Sequence, residues 1–337
     1  MFKLKVFFFI FFFCFFFAPQ IIAEDGRKQQ IEHIETTLRL AEGDIKPRTT
    51  SQTVKEAYQA LKLSEEIGYQ RGVIKAHYII ALSYFYSVDY KLSMQYLTRI
   101  ENLKGIEKHC HYLTQMHYLK GRIYFMIGLY DMAIEELEIA VTTAGDIKNK
   151  NIKYLVLANT YSALARVYYD LGGDSNINKI DHYLSMSRQS HLLISMDYDY
   201  RPLPEYFVMK TERSLRENNL DSARYYVGLM KRYSLDKRYI GLPNSYVTLG
   251  NYYTAINMSD SAYYYYRFAL KRTHDSGVLI HMPALYQGLS NYFTINHQPD
   301  SASFYANKYA EEVNSQSISK LTAAKEVMIS VLDENNA

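Results

Sequence analysis

The chain has 337 residues, with 38 lysines and arginines against 35 aspartates and glutamates, a net charge of +3. No basic surplus and no basic run interleaved with aromatics stands out, which argues against a nucleic-acid partner. Only two cysteines are present, Cys14 and Cys110, so a disulfide framework is excluded as the source of stability.

At the N-terminus, Lys3 and Lys5 precede an apolar run from Val6 to Phe17, followed by Pro19 and the small residue Ala23. This order is that of a secretory leader occupying residues 1–23. The unbroken run is shorter than the roughly 20 residues a spanning helix needs, although counting through Ile22 gives an uncleaved anchor. A lipoprotein signal is disfavoured because Phe11, Phe12 and Phe13 stand before Cys14. Cleavage and export to the periplasm is the expectation, with membrane attachment only through an uncleaved leader or a membrane partner. Cys110 is then the one thiol left in an oxidising compartment.

After a polar loop (GDIKPRTTSQT), Ala57, Leu61 and Ser64 mark the second helix of a first, partial unit. Ala81, Tyr84, Asp89, Tyr90, Ser93 and Leu97 form the next, and Gly121, Tyr124, Gly128, Tyr130, Ala133 and Ala140 the third. In the fourth, Tyr161, Leu164, Ala165 and Tyr168 predict one long helix over 151–171, and GDSNINKI lengthens the turn before Tyr183 and Ser187. Ser195 to Glu205 reads as an irregular join, with Tyr198 and Tyr200 as candidate contacts. The fifth unit keeps Ala223 but has Ser214 where a tyrosine is expected. The sixth is the most regular: Tyr246, Leu249, Gly250 and Tyr253 fall on one helix face, and Ala262, Tyr266 and Ala269 on the next. The seventh runs Tyr286, Leu289, Ser290, Phe293, Ala302. The segment 316–337 has an apolar spacing, Leu321, Ala324, Val327, Met328, Val331 and Leu332, that suits a capping helix.

Ser93, Ala133, Ala223, Ala262 and Ala302 repeat at intervals of about 40 residues, with one unit between Ala133 and Ala223. The pattern of a bulky residue, leucine, glycine and tyrosine followed by alanine, an aromatic and alanine resembles the tetratricopeptide repeat family, with Tyr246 in place of the usual tryptophan. The resemblance covers residues 28–315. It implies an all-α, right-handed α-solenoid of about seven hairpins over 24–315, the fifth degenerate, closed by the capping helix. Units of 40 rather than 34 residues look like the extracytoplasmic tetratricopeptide segments of bacterial signalling proteins. Asp221-Ser222, Asp260-Ser261 and Asp300-Ser301 stand where they would cap second helices.

The same resemblance assigns ligand contacts to the second, fifth, ninth, twelfth and thirteenth positions of each first helix. Here these are Lys75, Tyr78, Phe85 and Tyr86; Tyr118, Arg122 and Phe125; Asn159, Arg166 and Tyr169; Asn251; and Asn291. The implied groove is aromatic with two arginines and suits a peptide or protein carrying carboxylates. A co-chaperone carboxylate clamp is not implied, since Val247 stands where its lysine should be.

Tyrosine is the compositional outlier, 34 residues with no tryptophan. In Tyr168-Tyr169, Tyr225-Tyr226 and Tyr252-Tyr253, neighbours point about 100° apart, so one member is expected to pack and the other to remain partly exposed. His109, Cys110, His111 and His117 form the one concentration of metal-ligand types, but their spacing does not place them on one helix face. No metal or cofactor is expected. Glu65-Glu66 and Glu135-Glu136 read as solvated faces. No phosphate loop, HExxH motif or nucleophile elbow occurs.

The expectation is a non-catalytic exported scaffold that binds a peptide or protein. The alternative is a sensor segment of a signal-transduction system, acting through a membrane partner or as a remnant of a longer protein with an output module.

Overall fold

In the computed structural model, the described residues are 18–43, 50–173, 176–195, 201–202, 205–235, 239–240 and 243–335. Residues 1–17 of the expected leader, together with Tyr198 and Tyr200, lie outside them. Among the described residues fourteen α-helices follow one another: α1 (Ala18–Gly43), α2 (Thr50–Glu66), α3 (Gln70–Tyr86), α4 (Tyr90–Glu101), α5 (Cys110–Met126), α6 (Tyr130–Thr143), α7 (Lys150–Leu171), α8 (Ile177–Leu192), α9 (Glu205–Arg216), α10 (Leu220–Leu235), α11 (Pro243–Ala255), α12 (Ser259–Ser276), α13 (Met282–Ile295) and α14 (Pro299–Asn335). The protein is all-helical with consecutive helices packed in pairs; the one extended contact among the described residues joins Arg201–Pro202 to Tyr239–Ile240. None of the described helices is long and apolar enough to cross a membrane.

One backbone device sets the hairpin period. Val88, Gly128, Asn218, Asn257 and His297 take left-handed φ values of 54–84°, and in each turn the next N–H bonds back across five residues, as from Asp89 N to Tyr84 O and from Met258 N to Tyr253 O, both 2.9 Å. This is the Schellman end of a helix, running directly into the next one. The repeated small residues Ser93, Ala133, Ala223, Ala262 and Ala302 each fall five positions beyond the left-handed residue. Gly68 builds the same turn between α2 and α3.

Because the turn leads straight into the helix, the second helices start earlier than the Asp-Ser pairs suggest. Asn219 Oδ1, not Asp221 or Ser222, accepts from the Ser222 N–H at 3.0 Å, and α12 follows Met258 without a side-chain cap. Asp221, Asp260 and Asp300 sit inside the first turn, where their charge still favours the helix dipole.

The odd-numbered helices pack on one another in succession, α1 on α3 through to α11 on α13, and form an inner layer; the even-numbered helices contact mainly their chain neighbours. Close approach is bought with small residues. A Cβ on Gly121 would stand 2.7 Å from Leu137 Cγ and 3.1 Å from the Ala133 carbonyl, while Gly250 and Gly288 flank the Tyr266 ring. In the degenerate fifth unit the helix forms nonetheless, and Ser214 bonds Ser222 Oγ at 2.9 Å in place of a tyrosine contact. In the fourth, Tyr183 stacks on Tyr168 at 5.7 Å, and Ser187 bonds Ser162 and the Ala158 carbonyl, both at 2.8 Å.

Three expectations are corrected by packing. Tyr252 and Tyr253 are both buried, because α11 is covered by neighbours on more than one side. Glu136 is not solvated: its carboxylate meets Lys120 Nζ at 2.9 Å and His117 Nδ1 at 2.6 Å. The segment from 316 is no separate cap, for no glycine or proline interrupts α14 after Pro299. Its buried face is Gln316, Ala323 and Val327, whereas Leu321 and Met328 are exposed; the side chains of Val331 and Leu332 lie outside the described residues. α14 returns to the N-terminal half and packs on α4.

Candidate functional site

The inner layer collects the expected site residues from α3, α5, α7, α11 and α13, but uses them unequally. Lys75, Tyr78 and Phe85 are buried in the core, Phe85 with no exposed surface. Lys75 lies 3.7 Å from Glu35. Asn251 Oδ1 accepts from the Tyr266 hydroxyl at 2.7 Å, which commits that amide to packing. Tyr86, Tyr118, Phe125, Asn159 and Tyr169 are half-buried, and Asn291 is exposed.

Arg122 and Arg166 lie in contrasting settings. The Arg122 guanidinium sits 4.3 Å from the centre of the Phe85 ring, 5.5 Å from Tyr118 and 5.7 Å from Tyr86. Among the described residues no carboxylate forms an ion pair with it; Glu205 acts on it from farther away. Its donors reach the Tyr86 and Tyr118 hydroxyls, and stacking of this kind holds the cation in place with no acid paired to it. Arg166, by contrast, is saturated: Nη1 meets Glu212 Oε2 at 2.8 Å and Nη2 meets Glu205 Oε1 at 3.3 Å. Asn244 Nδ2 donates to the other Glu205 oxygen at 3.0 Å, and Thr248 Oγ1 to Glu212 at 3.3 Å. Burial works against the Arg166 charge, but the two carboxylates outweigh it and hold its pKa above the ordinary arginine range. For Glu205 burial prevails over Arg166 and raises the carboxyl.

Glu205, Glu212 and Arg216, which lies 4.8 Å from the Tyr169 ring, are absent from the expected set. In the repeat register that sets Ala223 level with Ala133 they take the second, ninth and thirteenth positions of the unit, so the rule that picked out Arg122 and Arg166 would have found them had the degenerate unit been included. His281 was also missed. It precedes α13, its Nε2 is buried without a hydrogen-bond partner, and the charges acting on it are those of Arg122 and Arg166.

Of the expected metal-ligand types, His117 is engaged by Glu136, and Cys110 Sγ points to the Glu107 carbonyl at 3.6 Å. Among the described residues no three histidine, cysteine or acidic side chains converge as ligands.

Burial, reinforced by Arg122 and Arg166, lowers His281 from 6.5 to about 3; burial and then Arg99 lower His77 to about 4. Both imidazoles stay neutral in the fold where the unfolded chain takes up a proton. Their contribution to stability is present above pH 6.5 and is lost as pH falls toward the folded values. Glu136, held low by His117 and Lys120 against burial, acts with the same sign further down. Each histidine should add up to about 1.4 kcal/mol per pH unit to the acid loss. Urea midpoints at pH 7.5, 6 and 5 measure it, and His281→Gln should remove about half of the slope between pH 6 and 5.

Compared with protein-family models and with curated proteins, the sequence matches none. The functional reading therefore stands on the residues of this chain.

Proposed function

We propose that this chain is an exported, right-handed tetratricopeptide-type α-solenoid that binds a peptide or protein through its inner layer and carries out no catalysis of its own. The Schellman turns recurring with the small residues support the repeat reading. The observation that carries the binding reading is Arg122, ringed by Phe85, Tyr86 and Tyr118 and lacking an ion-pair partner among the described residues. A stacked guanidinium of this kind prefers a carboxylate on the ligand. Half-buried Tyr118, Phe125 and Tyr169 add rigid aromatic area at small entropic cost.

The test is capture from an envelope extract by the immobilised chain beside Arg122→Gln and the Tyr118→Ala/Tyr169→Ala pair. A partner retained by the unaltered chain should be lost, about tenfold or more, from both variants while they remain helical. Equal retention by all three would overturn the reading.

A further inference from the structure

The inner layer is not open at Arg122. Between α12 and α13 the chain makes a short turn in which Val278 and Ile280 are buried in the core cluster of α3 and α4, Leu279 faces out, and His281 comes under the influence of Arg122 and Arg166. Residues more than 150 positions downstream thus fill the inner face of the N-terminal hairpins. α14 braces this turn: Gln316 Nε2 donates to the Leu279 carbonyl at 3.1 Å. Farther along, the Ser319 hydroxyl bonds the carbonyl of Val88, the β-branched residue held at φ 66°. Lys91 Nζ then meets Glu326 Oε1 at 2.6 Å, and Ala323 and Val327 are buried.

This closure is thin for one that joins distant parts of the chain. The Lys91–Glu326 pair is about two-fifths exposed on both sides and contributes little. Lys320 is half-buried and its charge is opposed by that burial. The turn is also an imperfect occupant. It buries an imidazole whose Nε2 has no hydrogen-bond partner and whose protonation is opposed by burial and by the charges of Arg122 and Arg166, so a carboxylate would be favoured there by the same charges.

We propose that Val278–His281, braced by the C-terminal half of α14, is a built-in plug of the inner face, displaced by an incoming segment that carries a carboxylate where His281 stands. The proposal rests on the reading of the inner layer as the binding surface and adds its regulation: binding and release of α14 are linked, because ligand and plug cannot occupy the same stretch of the inner face at once. The ligand's affinity is reduced by the fraction of time the plug is seated.

Two peptides test it on the full chain: the chain's own sequence 277–283, and the same peptide with glutamate in place of the histidine. At pH 7.5 the glutamate peptide should bind about tenfold more tightly, the worth of one charge-assisted hydrogen bond. It should also speed amide exchange in 278–281 and 316–327. His281→Glu in the chain should do the reverse, slowing exchange in both segments and weakening the peptide about tenfold. Equal affinities, or binding of neither peptide, overturn the plug. Binding that Arg122→Gln abolishes, with exchange at 316–327 unchanged, overturns the plug and leaves the inner-face reading standing. Binding indifferent to Arg122→Gln overturns both. Should His281→Glu fail to fold, the two peptides still decide.

Discussion

Tyr266→Ala should lower the stability of the chain by about 3–5 kcal/mol, the cost of emptying a fully packed aromatic site. Tyr266 is 1% exposed and is wedged from α12 between Gly250 of α11 and Gly288 of α13, with its hydroxyl on Asn251. One ring thereby sets the spacing of two inner helices. The reciprocal change is Gly250→Ala, whose Cβ would stand 2.5–2.8 Å from three atoms of that ring. The ring is held on the far side by Gly288, so it cannot yield freely, and overpacking should cost about 1–3 kcal/mol. Urea unfolding of both single variants and of the double variant checks this. In the double variant the new methyl enters the space the ring has left, so the losses should fall well short of additive. Additive losses would mean that Gly250 does not touch Tyr266.

Arg166→Gln removes the cation shared by Glu205 and Glu212. Breaking a buried ion pair from one side costs roughly 3–5 kcal/mol, and these side chains keep 22–31% of their surface exposed, which reduces the expectation to about 2–3 kcal/mol at pH 7.5. The sign of its pH dependence separates this from a packing loss. Without Arg166 the two carboxylates repel and their folded pKa values rise above those of the unfolded chain. Protonation then relieves the variant, so its deficit should shrink between pH 7.5 and pH 5. A deficit that is flat across that range, in unfolding followed by circular dichroism, would show that the charge is not what Arg166 contributes.

How far the sequence was legible differs from element to element. The hairpins could be read because Gly121, Ala133, Ala223 and Ala262 record where helices touch, and a repeating contact leaves a repeating residue. The turns were harder, since the left-handed position is glycine at 128 but valine at 88, asparagine at 218 and 257, and histidine at 297. The backbone bond pattern repeats there while the side chain does not. Face assignment was right in α14 for Val327 but not for Leu321 and Met328, which face outward while Gln316 and Ala323 join Val327 on the inward stripe. Hydrophobic spacing predicts a face only when the neighbour is known, and here the neighbour is α4, more than 200 residues away. The same holds for the site. Periodicity located Arg122 and Arg166, but the saturation of one by Glu205 and Glu212, and the packing of the His281 turn against α3, arise from contacts between units.

Photo-cross-linking in cells tests the binding surface most directly, with a photoreactive phenylalanine placed in turn at Tyr169 on the inner layer and at Tyr225, which is 60% exposed on an outer helix. The same partner should be captured from position 169 and lost when Arg122→Gln is added, and position 225 should give none of it. Capture of that partner from position 225 alone, or from both positions regardless of Arg122, would contradict an inner-face binding site.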